Sequence, residues 1–153
     1  MPELTFSDSV VIARAREDLY DMIADVTRMG EFSPVCRACW WDDDDHGVGA
    51  WFTGRNETPE RTWETRSRVV AAEPGVEFAF VVGGTWIRWG YRFEDVEGGT
   101  LVTESWDFLP DGFVRFADRY GDDAPAQIED RRRAAYEGIP LTLATMKRVA
   151  ESQ

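Results

Sequence analysis

Glu104 is the residue best placed to do chemistry. In Val102-Thr103-Glu104-Ser105-Trp106-Asp107-Phe108, alternation puts Val102, Glu104, Trp106 and Phe108 on one face. A carboxylate on an apolar face must be paired, hydrogen-bonded or protonated. Desolvation raises its pKa, which suits a general acid or base moving a proton beside a carbonyl. The alternative is a carboxylate satisfied inside the fold by Asn56, a hydroxyl or an arginine. Tyr91, Tyr136 and Asn56 are further candidates to hydrogen-bond a ligand oxygen.

The other reactive side chains offer less. Cys36 and Cys39 form a single Cys-x-x-Cys. Redox motifs of this spacing use a helix N-terminus to lower the thiol pKa. Here Ser33-Pro34-Val35 and Trp40-Trp41 flank the pair and read as a strand, where residues three apart point to opposite faces. Two structural thiols are expected, and one pair cannot complete a four-ligand zinc site. The only histidine, His46, follows Asp42-Asp43-Asp44-Asp45. That run lacks the spacing of an EF-hand loop and reads as a solvated turn. No Gly-x-Ser-x-Gly elbow accompanies His46, so a Ser-His-Asp triad is unsupported. Gly83-Gly84 and Gly98-Gly99 are hairpin turns, not a dinucleotide-binding glycine pattern before a helix. No metal and no cofactor are expected.

The elements that must position these residues follow from periodicity. Leu4 to Ile12 is β-like. Ala15 to Val26 is helical, with Leu19, Met22, Ile23 and Val26 on one stripe and Glu17 and Asp18 in the first turn. Arg28 to Phe32 reads as a short helical turn, stopped before Pro34. Six consecutive strands come next: Val35 to Trp41, Gly49 to Asn56, Arg61 to Ala71, Val76 to Val82, Thr85 to Glu94 and Thr100 to Leu109. Their alternation is that of an antiparallel sheet with one wet face. Pro110 to Pro125 is irregular, with a short helix expected around Phe113 to Tyr120. Ala126 to Ser152 is a long helix with Ala135, Ile139, Thr142, Leu143, Met146 and Val149 facing inward. Pro140 is expected to kink or break it.

At 153 residues the chain has the size of one domain, 1–153, able to bury a full core. Seven Trp and a 13% aromatic share supply more ring surface than such a core needs, as a ligand cavity would use. The net charge of -12 repels nucleic acid and anionic membranes on average. The one basic run, Arg131-Arg132-Arg133, follows Glu129 and Asp130 and reads as a solvated helix face with local ion pairs. Met1-Pro2-Glu3-Leu4-Thr5 lacks the basic and apolar regions of a secretory signal, and no apolar run approaches a membrane span. A cytoplasmic location is expected, with no nucleic-acid partner and no integral membrane association. A homodimer stays open.

The order strand, helices, six strands, long helix resembles the SRPBCC superfamily, the START-like proteins that include the polyketide cyclase/dehydrase and lipid-transport branch. The resemblance is carried by Ser9-Val10-Val11-Ile12, Ala24-Asp25-Val26, Phe32-Ser33-Pro34, the stretch from Val48 to Asn56 and Glu73-Pro74-Gly75. Trp89-Gly90-Tyr91-Arg92-Phe93 and the stretch from Gly98 to Trp106 complete it. It implies an α+β helix-grip fold, a curved antiparallel sheet of about seven strands wrapped around the C-terminal helix, with one or two short helices after the first strand. If the apolar strand faces point inward, the cavity wall comprises Phe52, Asn56, Trp63, Thr65, Ser67, Phe78, Phe80, Trp89, Tyr91, Glu104 and Trp106. The helix adds Ile139, Leu143 and Met146. The same residues could instead fill a dry core.

Three functions remain open. The first is binding or carriage of a small hydrophobic ligand, such as a lipid, a fatty acyl group or a polyketide-like aromatic. The second is a polyketide aromatase/cyclase or dehydratase using Glu104 for proton transfer. The third is a structural or interaction module without a ligand. Family membership alone does not choose among them.

Overall fold

The computed structural model describes residues 4–153. The reading of Met1, Pro2 and Glu3 as carrying no leader lies outside the described residues. In chain order the elements are β1 (Thr5–Ile12), α1 (Arg16–Ala24), a 3-10 helix (Val26–Glu31), β2 (Cys36–Trp41), β3 (Trp51–Thr58) and β4 (Arg61–Glu73). They continue with β5 (Glu77–Val82), β6 (Ile87–Val96), β7 (Gly99–Phe108), α2 (Pro110–Tyr120), a second 3-10 turn (Gly121–Asp123) and α3 (Ala124–Glu151). The seven strands form one sheet in the order β1-β7-β6-β5-β4-β3-β2, antiparallel throughout.

Strand register carries the inward residues into rows across the sheet. One row runs Phe6, Trp106, Trp89, Phe80, Val69; the next runs Asp8, Glu104, Tyr91, Phe78, Ala72. Val70 is the extra residue between Val69 and Ala71, and this irregularity keeps both rows on the inner face. Against them lies α3, whose buried stripe is Ala135, Ile139, Thr142, Leu143, Met146 and Ala150. The helix runs unbroken through Pro140. The sequence pattern allowed a break there, but packing along the inward stripe outweighs one lost backbone bond.

The β1 edge of the sheet holds this helix. On the β1 side, Lys147 Nζ donates to the Val11 carbonyl at 2.8 Å, and Glu151 Oε2 accepts from the Ala13 amide at 2.9 Å. Arg14 Nη1 reaches the Ala150 carbonyl at 2.8 Å, satisfying an end-of-helix acceptor. Thr100, fully buried, donates to the Arg14 carbonyl at 2.7 Å and fixes the segment that carries these contacts. On the β2 side, a Cβ at Gly138 would sit 3.9 Å from Pro34 Cγ, so α3 passes beside the approach to β2.

The helix expected over Ala15 to Val26 ends earlier, at Ala24. Asp25 Oδ1 accepts from the Thr27 amide at 3.1 Å and the Thr27 hydroxyl at 2.5 Å, and this Asx-type cap starts the 3-10 helix instead. From α1, Tyr20 meets Phe78 and Phe93 edge-on, at ring distances of 6.3 and 5.8 Å. The expected helix in the 110–125 segment is present and longer, beginning at Pro110, where proline is pre-organised for a first turn.

Between β2 and β3 the register shifts at Arg37: Cys36 opposes Asn56, whereas Ala38 opposes Arg55. The 3-10 helix closes onto this bulge at Gly30, where a Cβ would lie 2.2 Å from the Arg37 carbonyl oxygen. Only glycine permits that approach. Gly30→Ala should therefore destabilise the protein by about 2 kcal/mol or more, as an overpacked site with backbone on the opposing side. Urea unfolding followed by far-UV circular dichroism measures it, and an unchanged midpoint would show that the 3-10 helix is not seated on the bulge.

Candidate functional site

The inner face of β7 places Glu104 between Val102 and Trp106, and its side chain is 2% exposed. One carboxyl oxygen, Oε2, accepts the Tyr91 hydroxyl at 2.9 Å from the adjacent strand. The other, Oε1, is buried without a hydrogen-bond partner. Among the described residues no cation pairs with it: the arginines of β6 lie on the outer face, where Arg88 and Arg92 meet Glu77 at 3.2 and 3.5 Å. Desolvation pushes the Glu104 carboxyl from 4.5 up to about 8, against a smaller downward pull from the Tyr91 hydroxyl. Burial likewise drives Tyr91 well above the ordinary phenol value, and the neighbouring carboxylate adds to that. Near neutral pH the pair is therefore a carboxylic acid beside a neutral phenol. A protonated carboxyl has a hydrogen to donate, and Oε1 is the oxygen with nothing to receive it.

The other expected wall residues fall into two groups. Phe52, Phe78, Phe80, Trp106, Ile139, Leu143 and Met146 are buried apolar neighbours in one core, and Ser67 is buried with them. Asn56, Trp63, Thr65 and Trp89 are half-buried. Asn56 Nδ2 donates to Thr65 Oγ1 at 3.2 Å rather than to Glu104, so the internal partner of Glu104 is Tyr91. Trp63 faces the Arg61 guanidinium at 4.0 Å from the ring centroid. Tyr136 stacks on Phe6 at 4.4 Å, next to β1. Neither of two surface clefts is lined by Glu104. One, of about 420 Å³, lies between Tyr20, Asp21, Ala24, Asp25, Thr27, Trp41 and His46. The other, of about 390 Å³, lies between Thr5, Phe6, Ser7, Ser105, Asp107 and Tyr136.

The acidic turn is solvated, as its sequence suggests. Asp42 accepts from Thr53 at 2.7 Å and from Arg66 at 2.8 Å, and His46 stacks on Trp41 at 4.3 Å. Among the described residues no three His, Cys, Asp or Glu side chains are grouped to hold a metal ion. Arg131 pairs with Asp130 and Arg132 with Glu129 on the surface of α3, the local ion pairs expected of a basic run that follows two acidic residues. Among the described residues no helix is long and apolar enough to cross a membrane.

The cysteines differ from the sequence expectation. They do not point to opposite faces: the bulge at Arg37 supplies one extra residue, and both thiols turn inward, 7% exposed and 3.2 Å apart. A signal for this lay in Cys36-Arg37-Ala38-Cys39 itself. Arg37 must face water and both thiols favour burial, which strict alternation cannot satisfy.

The family described as "Polyketide cyclase / dehydrase and lipid transport" matches residues 3–139. The chain belongs to that family. It has the helix-grip architecture that membership implies, and solved structures of similar fold agree. It is similar to the Polyketide_cyc-like protein of Corynebacterium glutamicum, whose solution NMR structure matches with 51% identity and a TM-score of 0.71, over 99% of this chain and 94% of that one. The di-domain ARO/CYC protein StfQ of the steffimycin biosynthetic pathway matches in fold, with 17% identity and a TM-score of 0.71. The match covers 97% of this chain and 51% of StfQ. Ara h 8.0201 shares the fold at 10% identity and a TM-score of 0.62, over 97% of this chain and 98% of that one. No curated protein matches the chain.

The raised pKa of Glu104 has a definite sign in stability. Between about 4.5 and about 8 the native state holds a proton that the unfolded chain has released. Stability therefore falls as pH rises through that window and levels off above it. The full difference is of the order of 5 kcal/mol from this group alone, at 1.36 kcal/mol per pH unit. Urea midpoints measured from pH 5 to 9 should decline more steeply for the wild type than for Glu104→Gln, which cannot ionise. Parallel curves would place the native pKa of Glu104 near its ordinary value.

Proposed function

We propose that this protein binds a small, mostly apolar molecule bearing an acceptor oxygen, held between the inner sheet face and α3 with that oxygen on Glu104 Oε1. The observation that carries the reading is the unpartnered Oε1 of a buried carboxyl, since an orphaned buried polar group is costly unless something meets it. The surroundings suit such a molecule: Phe78, Phe80 and Trp106 offer ring surface, and Leu143 and Met146 offer adaptable aliphatic surface. Because these side chains occupy the interior, binding requires them to part, with Met146 the easiest to rearrange. The ligand class is a lipid, a fatty acyl group or a polyketide-like aromatic, in keeping with the family.

A second reading rests on the same pair. A carboxylic acid poised near neutral pH, with a phenol at 2.9 Å, is equipped to protonate a carbonyl or remove an adjacent proton. On that reading the protein is an aromatase/cyclase or dehydratase with Glu104 as the proton-transfer group and Tyr91 orienting the carbonyl.

One variant pair tests both readings. Glutamine reproduces the protonated carboxyl, accepting from Tyr91 and donating from its amide, whereas leucine does neither. Calorimetric titration with fatty acids and aromatic ketones should give near-wild-type affinity for Glu104→Gln and at least a tenfold loss for Glu104→Leu, as removal of one buried hydrogen bond implies. Unchanged affinity in Glu104→Leu, or no binding by the wild type, would defeat the binding reading. If proton transfer occurs, Glu104→Gln retains ligand but loses turnover.

A further inference from the structure

The structure assigns Cys36 and Cys39 as a site of reversible oxidation: with a hydroperoxide as oxidant, the two thiols close to an intramolecular disulfide. Three features of the backbone build this site. The bulge at Arg37 turns both side chains to the inner face. Gly30 lets the 3-10 helix press on the bulge and hold its shape. Gly54, opposite Cys39 on β3, leaves the room the sulfurs occupy: a Cβ there would stand 3.2 Å from Cys39 Sγ and 3.7 Å from Cys36 Sγ. The sulfurs lie 3.2 Å apart, and a disulfide bond needs about 2.0 Å, so closure is a movement of about 1 Å. Purely structural thiols need none of this. Two cysteines on an unbulged strand would bury separately, on opposite faces.

The chemistry balances. The Cys36 thiolate attacks the distal peroxide oxygen, the O–O bond breaks, and the departing alkoxide or hydroxide takes a proton. Cys36 is then a sulfenic acid. The Cys39 sulfur attacks the Cys36 sulfur, the S–O bond breaks, and water leaves. Two thiols and one hydroperoxide give one disulfide, one alcohol or water, and one further water. The hydrogen bond between the two sulfurs favours Cys36 as the attacking partner, since it pulls that thiol below its ordinary value. The same bond, with burial, pushes Cys39 up. Cys36 and Cys39 are both buried, which shields the sulfenic acid from larger thiols. The site also bears on the binding interior: negative charge on either cysteine would push the Tyr91 phenol further up, and a disulfide carries none.

Native protein treated with hydrogen peroxide, then unfolded, alkylated with iodoacetamide and digested, tests the assignment. The expected peptide spanning Cys36 and Cys39 is unalkylated and lighter by two hydrogens, and dithiothreitol restores two alkylatable thiols. In Cys36→Ser and in Cys39→Ser, the remaining sulfur should instead end as sulfinic acid or react with an added sulfenic-acid probe. Three results would each overturn the assignment: two fully alkylatable thiols after peroxide, a wild-type peptide carrying sulfinic or sulfonic acid, or a disulfide-linked dimer on a non-reducing gel. The measurement uses the wild-type protein, so it stands whether or not either variant folds. It involves no ligand, so it stands or fails apart from the binding reading.

Discussion

A seven-stranded antiparallel sheet with one apolar face must cover that face. Here the long helix does so together with α1 and α2, and the rest of the molecule depends on how sheet and helices close on each other. Lys147, Glu151 and Arg14 tie the end of α3 to β1 and the segment after it, and Pro34 brings the opposite side of the sheet beside Gly138. The inner rows of Phe, Trp and Tyr are thereby buried, and every polar group among them needs an internal answer. Most have one. Glu104 Oε1 does not.

That exception gives the fold its chemical character. A carboxyl with one hydrogen bond and no cation holds its proton past neutrality, because burial costs the anion more than the Tyr91 hydroxyl returns. A buried carboxyl oxygen with no partner is costly to the fold. Local conflicts of this kind concentrate where a protein binds or reacts. The same reasoning separates Glu104 from the acidic side chains of the 42–45 turn, which meet Thr53, Arg66 and water at no comparable cost.

The cysteine pair shows how a small backbone irregularity redistributes function. One extra residue in β2 changes two isolated thiols into neighbours, with Gly54 leaving space for the sulfurs and Gly30 letting the 3-10 helix seat on the bulge. The dithiol and the acid–phenol pair face one interior, so the state of one bears on the other.

The sequence by itself determined the strands, their inward faces and the long helix, because period-2 and period-3.6 patterns depend only on backbone geometry and the burial of apolar groups. It also singled out Glu104, since a carboxylate among Val102, Trp106 and Phe108 breaks that pattern. Element ends were less legible: Asp25 and Thr27 end α1 early through a side-chain cap, and Pro140 leaves α3 continuous because tertiary packing outweighs one backbone bond. Only the tertiary structure decided who answers Glu104. Asn56 turned out to bond Thr65, and Tyr91 became the partner through cross-strand register, a relation between residues far apart in the chain. Only it decided that Cys36 and Cys39 meet: the four residues carry a conflict with strict alternation, but the strand opposite and the helix seated on the bulge fix how it is resolved.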